Sequence, residues 1–156
     1  MDLDNSLKKH AIHQETEASF EYIRVGLLNL KEQNSGVSNN HVALQLFASG
    51  FERILKTLLL IKHKYRYGRF PDLVRTREFF RPYDGGHGIE KMLIEMVEYS
   101  PKIRGYDSIP MIREDMAYLK DDNFRRFIDI LTEFAMFGRY YYIDTIIREG
   151  FNNTRN

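Results

Sequence analysis

The feature that most constrains the fold is an amphipathic stretch from Phe51 to Ile61, whose apolar residues recur at three- and four-residue spacing. Because one turn of an α-helix takes about 3.6 residues, this spacing places them on one face of a helix. The same period continues through nearly the whole chain, and hardly any segment alternates apolar and polar residues as a half-buried strand does. The sequence therefore predicts an all-α fold.

Interruptions of this period predict an antiparallel bundle of five to six helices, with two long helices, then shorter ones, then a third long helix. Glycine, proline and capping residues mark their ends. The expected helices run from Asn5 to Gln33, from a Ser38-Asn39-Asn40 cap to Gly68, from Asp72 to Phe80, from Ile89 to Ser100, from Pro110 to Lys120, and from Asp121 to Gly150. We expect one domain over residues 1–150 and a flexible C-terminal tail over residues 151–156.

The composition excludes several classes of protein. There are no cysteines, which excludes disulfides and thiolate metal sites. No apolar run approaches the roughly 18 residues of a membrane span, and the first residues lack the basic and apolar regions of a secretory signal. We therefore expect a cytoplasmic protein without membrane contact. With 43% hydrophobic and 29% charged residues, the chain has the composition of an ordinary globular domain.

Metal and cofactor sites are not expected. The Glu-x-x-His pairs of di-iron bundles do not occur in the sequence. His10, His13 and Glu17 share a helix face, but three polar groups on a polar face are more often solvated than metal-bound.

Positive charge is concentrated between Arg53 and Arg81, which we call the basic segment. It contains nine basic and two acidic side chains, whereas the residues before it and after it are each net acidic. Tyr65, Tyr67 and Phe70 are interleaved with the basic residues, as on many surfaces that contact phosphates and bases. A solvated helix end whose aromatic residues complete the core would show the same pattern. The candidate binding residues in this segment are Lys56, Lys62, Lys64, Arg66 and Arg69.

Three polar motifs stand out from the helical pattern. Glu52 and Lys56 form an i, i+4 pair of opposite charge on the expected exposed side of the second helix. His87 is expected in the first turn of the fourth helix, and Arg139-Tyr140 lies about two thirds along the last one. Taken singly, they are explained by a surface ion pair, a polar cap, and an arginine beside a packed tyrosine.

Taken in order, these segments resemble the HEPN superfamily, the nucleotide-binding helical domains of higher eukaryotes and prokaryotes. The similar residues are Phe51-Glu52-Arg53-Ile54-Leu55-Lys56-Thr57-Leu58-Leu59, Gly86-His87-Gly88-Ile89-Glu90-Lys91-Met92-Leu93 and Arg139-Tyr140. The resemblance covers residues 42–147. It implies a helical domain that associates with RNA or a nucleotide, forms a homodimer, and works within a toxin–antitoxin or defence system with an antitoxin or other partner protein.

The resemblance also implies a candidate catalytic pair. Catalytic members of the superfamily are metal-independent ribonucleases that carry an arginine followed, after a gap of four to six residues, by a histidine. Arg81 and His87 satisfy this gap, although Pro82 and the Gly85-Gly86 turn depart from the family pattern. The resemblance implies that His87 transfers a proton to or from the RNA while Arg81 stabilises negative charge on the phosphorane.

Three hypotheses on function follow. The first is a HEPN-like module that binds RNA, a nucleotide or a partner protein through the basic segment, together with Arg139 and Tyr140. The second is an endoribonuclease that uses Arg81 and His87. The third is a dimeric adaptor without a nucleic-acid role, which packs a second subunit on residues 139–142 and on the helix around Met92 and Met96.

Overall fold

A computed structural model describes residues 3–32, 37–139 and 146, and within them the chain is an all-α bundle without strands. This confirms the predicted fold class. The helices are α1 (Leu3–Glu32), α2 (Val37–Tyr67), α3 (Thr76–Phe80), α4 (Ile89–Tyr99), α5 (Met111–Tyr118) and α6 (Asp122–Glu133). Single 3₁₀ turns connect several of them, and a π-helical segment from Phe134 to Gly138 directly follows α6.

The two long helices form an antiparallel hairpin. Glu15 of α1 pairs with Arg53 of α2, and Gly26 of α1 lies against Phe47, so positions later in α1 meet positions earlier in α2. The helices approach closely at Gly50, where an added Cβ would lie 2.7 Å from Ile23 Cγ1. A glycine is therefore required there, because any side chain would push the two helices apart.

Much of the core lies where α4 and α6 pack against α2 and against each other, and Ile23 of α1 also contacts it. A hydrogen bond of 2.9 Å from the Glu90 backbone N–H to Thr132 Oγ1 ties the start of α4 to α6. Aromatic rings pack edge to face between α2 and α6, as Phe47 and Phe127 do with ring centroids 5.4 Å apart. The buried apolar residues are Ala43, Phe47, Ala48, Leu55, Leu59, Phe80, Ile89, Met92, Ile128, Leu131, Phe134 and Ala135.

Several predicted helix ends are confirmed, and one is wrong. Asp121 caps α6 through its Oδ1 atom, which accepts hydrogen bonds from the backbone N–H groups of Asn123 and Phe124. Pro110 was predicted in the first turn of the fifth helix, and it lies one residue earlier, at the N-cap position of α5. The predicted cap at Ser38-Asn39-Asn40 is wrong, because α2 already begins at Val37 and these residues lie in its first turn.

Other sequence predictions lie outside the described residues. They are the end of the first helix at residues 34–36, the C-cap at Gly150 and the tail over residues 151–156. Of the predicted helix beyond Arg139, the structure describes only Ile146, which is helical. No helix in the described ranges combines the length and the apolar character that crossing a bilayer requires.

Candidate functional site

Glu52 forms the centre of the most unusual polar arrangement in the molecule. It lies midway along α2 and is only 8% exposed, so the prediction that it lies on the exposed side of the helix is wrong. The physical reason is that α2 is covered on several sides, by α1, α4, α6 and the segment after α6. A carboxylate is costly to bury unless partners compensate its charge.

Three basic side chains supply that compensation. Lys56 Nζ donates to Glu52 Oε1 at 2.6 Å, and Arg139 Nη2 donates to Glu52 Oε2 at 2.7 Å. His87 Nδ1 lies 3.1 Å from the same Oε2 atom. We call Glu52, Lys56, His87 and Arg139 the Glu52 cluster. The three motifs that sequence analysis singled out separately thus meet at one carboxylate.

The electrostatics of the cluster favour an ionised Glu52. Burial alone raises the pKa of this carboxyl group, but hydrogen bonds from Lys56 and His87, with the charges of Lys56 and Arg139, hold the pKa below its ordinary value. Two basic side chains, those of Lys56 and Arg139, therefore face one carboxylate, with the His87 ring beside them. The cluster is net positive and is suited to receive an anion.

A tight turn before α4 positions His87. The sequence predicted His87 in the first turn of the fourth helix. This is wrong, because α4 begins only at Ile89, with Gly88 at the N-cap position. Three consecutive residues, Asp84, Gly85 and Gly86, have φ values of 53°, 70° and 97°, which reverse the chain direction. Gly86 is buried where an added Cβ would collide with the Lys56 side chain. The turn therefore brings His87 beside Lys56 and Glu52.

The π-helical segment positions Arg139. This residue directly follows Phe134–Gly138, and π-helical turns of this kind often occur at functional sites. The segment is compact, because a Cβ at Gly138 would lie 2.6 Å from Phe134 Cδ2. Arg139 Nε is buried and has no hydrogen-bond partner among the described residues. Tyr140, the neighbouring candidate binding residue, lies outside the described residues.

Arg81 does not join the Glu52 cluster. Its exposed side chain lies at the end of α3, where its backbone N–H bonds to the carbonyl of Glu78. Across the described ranges, no hydrogen bond or ion pair connects its side chain with His87 or Glu52. A catalytic Arg81–His87 pair stays a prediction, and the cation that the structure brings to the same carboxylate as His87 is Arg139.

The basic segment divides into paired and unpaired residues. Arg53 binds Glu15 through two hydrogen bonds of 2.8 and 3.0 Å, Lys56 binds Glu52, and Lys62 binds Glu95. The other six have no carboxylate partner within the described part of the chain, and we call them the unpaired basic residues. They are Lys64, Arg66, Arg69, Arg75, Arg77 and Arg81.

The paired and unpaired groups differ in what they offer a ligand. Lys62 is largely buried between Glu95 and the ring of Tyr99, which lies 4.8 Å from Nζ. Arg66, Arg69, Arg75 and most of the other unpaired residues are exposed. Of the predicted binding residues, Lys56, Lys62 and Arg139 thus already neutralise carboxylates of the chain itself, whereas Lys64, Arg66 and Arg69 do not.

Metal-ligand geometry is not found in the described ranges, where no three His, Cys, Asp or Glu residues are grouped around a position for an ion. His13 Nε2 lies 3.4 Å from Glu17 Oε1 on the exposed face of α1.

The sequence pattern indicated the Glu52–Lys56 pair, but not the burial of Glu52, its contacts with His87 and Arg139, or the pairing of Lys62 with Glu95. One signal for Glu52 was available, because Ala48, Glu52, Leu55 and Leu59 lie on one stripe of α2, and the other three are core residues. Glu95 gave no comparable signal, since its partner Lys62 lies on another helix.

Comparisons with family models, with curated proteins and with solved structures found no match to this chain.

Proposed function

We propose that the chain is a helical module that binds RNA through the unpaired basic residues. The supporting observation is that these six cations have no carboxylate partner within the described residues, while three others of the same segment do. A cation paired one-to-one with a carboxylate, as Arg53 is with Glu15 and Lys62 with Glu95, has little to gain from a phosphate. An exposed, unpaired cation gains affinity by releasing the counterions of the nucleic acid.

Aromatic side chains lie beside these cations, as binding to single strands requires. The Arg66 guanidinium lies 5.4 Å from the centre of the Tyr67 ring, and Lys64 Nζ lies 5.2 Å from that of Phe70. Tyr65 and Tyr67 are 67% and 59% exposed, so a ligand can reach much of each ring. Exposed rings of this kind provide stacking surfaces for unpaired bases.

The salt dependence of RNA binding tests this proposal. The variant Lys64→Gln/Arg66→Gln/Arg69→Gln removes three phosphate contacts. The negative slope of log K against log salt should therefore become less steep by about 2 for a single-stranded RNA. A matched control removes three exposed basic residues elsewhere, as Lys102→Gln/Arg104→Gln/Lys120→Gln. Equal slopes for the two triple variants, or a flat salt dependence of the wild type, would contradict the proposal.

A second candidate function, a metal-independent endoribonuclease, is favoured by the geometry of His87. The buried Glu52 carboxylate accepts from His87 Nδ1, which places the neutral ring's proton on Nδ1 and leaves Nε2 as a base. The His87 side chain is 46% exposed, so a substrate can reach it. Arg139, which binds the same carboxylate, has a side chain that is 20% exposed and offers a guanidinium to a phosphate oxygen.

The reaction would proceed by general base catalysis. His87 Nε2 takes the proton of a ribose 2′-hydroxyl, the 2′-oxygen attacks the adjacent phosphorus, and the bond to the 5′-oxygen breaks. His87, protonated in that step, then gives the proton to the leaving 5′-oxygen, so the products carry 2′,3′-cyclic phosphate and 5′-hydroxyl ends. Lys56 and Arg139 stabilise the charge on the phosphorane.

Cleavage of labelled single-stranded RNA in excess chelator tests this candidate. We expect His87→Ala and Arg139→Ala to abolish formation of cyclic phosphate ends. Arg81→Ala separates the two versions of the site, because it abolishes cleavage if the predicted Arg81–His87 pair is catalytic and leaves it intact if the Glu52 cluster suffices. Uncleaved RNA with the folded wild type would remove the nuclease candidate and leave the binding proposal standing.

The adaptor hypothesis loses part of its predicted surface. Met92 is fully buried in the chain's own core, and Met96 packs against that core. The remainder of the surface, residues 140–142, lies outside the described residues. The homodimer, the antitoxin partner and the resemblance to the HEPN superfamily stay predictions.

A further inference from the structure

A cleft of about 740 Å³ lies at the end of the hairpin, away from the Glu52 cluster. Its walls come from the first half of α1, the second half of α2, and the loop from Arg69 to Thr76. We call it the Phe70 cleft. Its volume is in the range of sites that enclose small molecules.

The inner surface of the cleft is largely apolar. Ile12 of α1, Leu60 of α2 and Phe70 of the loop line it, with Ala11 and Pro71 beside them. A second, smaller cleft of about 180 Å³ shares Ile12, Lys64 and Phe70 with it. An apolar body of the size of an aromatic ring system would therefore find hydrophobic contacts on three sides.

Hydrogen bonds hold the loop that forms the third wall. His63 Nδ1 lies 2.9 Å from the carbonyl oxygen of Arg69, and Thr76 Oγ1 donates to the carbonyl of Asp72 at 3.1 Å. Gly68, with φ of 74°, turns the chain back from the end of α2. The wall is thus in place before a ligand arrives, which lowers the entropic cost of binding.

The charges around the opening favour an anion. Glu15 and Asp72 line the cleft, and Arg53 neutralises Glu15 through two hydrogen bonds, which leaves one carboxylate, Asp72. Lys64 and Arg69 also line the cleft, have no carboxylate partner within the described residues, and outnumber Asp72. Lys64 Nζ lies 5.2 Å from the centre of the Phe70 ring, so one cation stands directly beside the apolar wall.

We infer that the Phe70 cleft binds a small amphipathic anion, with an apolar or aromatic body against Ile12, Leu60 and Phe70 and a phosphate or carboxylate head at Lys64 and Arg69. The site is separate from the Glu52 cluster. It goes beyond the proposed binding of RNA, because the ligand is a small molecule that enters between the helices and not a polymer that lies across the surface.

Calorimetric titration of the full chain with 1-naphthyl phosphate tests the inference. We expect saturable binding with a Kd at least about tenfold lower than for 1-naphthol, which lacks the head, or for inorganic phosphate, which lacks the body. Titration with 1-naphthoate distinguishes a phosphate site from a carboxylate site, and the tighter of the two identifies the head group. Equal affinity for 1-naphthol or for inorganic phosphate would overturn the inference, as would no binding of either naphthyl anion.

Two variants locate the binding site. Ala11→Phe fills the cleft from the exposed side of α1 without changing any charge, and Ala117→Phe, on exposed α5, is its matched control. We expect Ala11→Phe to weaken the binding of 1-naphthyl phosphate at least about tenfold and Ala117→Phe to leave it unchanged. Arg69→Gln should weaken the binding of 1-naphthyl phosphate but not that of 1-naphthol. Undiminished binding to Ala11→Phe would place the ligand elsewhere and overturn the inference.

The same variants separate this inference from the proposed function. Ala11→Phe keeps every unpaired basic residue, so RNA binding should persist while binding of the small anion is lost. Arg77 lies outside the cleft lining, so Arg77→Gln should weaken the binding of RNA but not that of 1-naphthyl phosphate. A chain that binds RNA but not 1-naphthyl phosphate would refute only the cleft, and the reverse result would refute only the RNA proposal.

Discussion

Replacing Glu52 with glutamine should destabilise the fold far more than the same change at a surface ion pair. Glu52→Gln keeps the shape of the side chain and removes its charge. Lys56 and Arg139, whose side chains are only 27% and 20% exposed, then lose their counter-ion. Breaking a buried ion pair from one side leaves an uncompensated charge, which is the costly step.

The magnitude follows from the number of contacts. Two hydrogen bonds between ionised groups, at 2.6 and 2.7 Å, become bonds to a neutral amide. Hydrogen bonds to charged groups each contribute about 1.5 to 3 kcal/mol, and a neutral acceptor keeps roughly half of that. These losses sum to about 1.5 to 3 kcal/mol, and because both cations retain some contact with water, we expect about 2 kcal/mol. For a chain of this size, that lowers Tm by about 4 to 8 °C.

Glu15→Gln is the matched control. It also removes the charge of a glutamate that binds an arginine through two hydrogen bonds, but both side chains are substantially exposed. An exposed pair contributes about 0.5 kcal/mol. Urea or thermal unfolding of the two variants, followed by circular dichroism, measures the difference between them.

The pH dependence of stability gives an independent check. The pKa of Glu52 is lowered in the folded state from its ordinary value of 4.5, so the unfolded chain binds the proton more tightly. Its contribution to stability is therefore present above pH 4.5 and is lost as the pH falls through the lower, folded pKa. The gap between wild type and Glu52→Gln should narrow in that acidic range. A gap that stays constant there, or a Glu52→Gln variant as stable as Glu15→Gln, would refute the reasoning.

Three further perturbations test the local structure, each by urea unfolding against the wild type. Gly105→Ala strains only the backbone, because its φ is 83° and nothing lies near the added Cβ, and it should reduce stability by about 1 kcal/mol. Gly86→Ala, with φ of 97°, also displaces the Lys56 side chain and should reduce stability by about 2 to 3 kcal/mol. Equal losses for the two variants would contradict the contact between Gly86 and Lys56. Asp121→Ala removes the α6 cap and should cost about 1 kcal/mol, whereas Asp121→Asn, which can still cap, should cost less. Leu131→Ala opens a cavity in the core and should cost about 2 to 5 kcal/mol, and a loss under 1 kcal/mol would mean that the site collapses to fill it.

Sequence patterns predicted the helices well, because the cues for them are local. The apolar period, the cap at Asp121 and Pro110 before α5 all act within one or two turns of the chain. The errors come from effects that act across the chain. An i, i+4 pair such as Glu52–Lys56 is typical of an exposed helix face, and within α2 only the stripe that Glu52 shares with core residues indicates that other elements cover it.

The Glu52 cluster was predictable only in part. Glu52, His87 and Arg139 were each singled out, but their contact was not predicted, because it depends on a turn and a helix end far from Glu52 in the sequence. The register of Arg139 is set by the π-helical segment Phe134–Gly138. No residue type within this segment predicts a π-helix. The separation of the basic segment into paired and unpaired cations likewise required the positions of Glu15 and Glu95 on other helices.

The spacing of Glu52 and its three partners along the chain has a consequence for biosynthesis. Lys56, His87 and Arg139 follow Glu52 by 4, 35 and 87 residues. At a translation rate of about 5 to 20 residues per second, the ribosome adds Arg139 about 4 to 17 s after Glu52. During that interval the growing chain carries the carboxylate with at most two of its three donors, and α2 has no α6 to cover its apolar stripe. The native arrangement around Glu52 is therefore completed only by the last part of the described bundle to be synthesised.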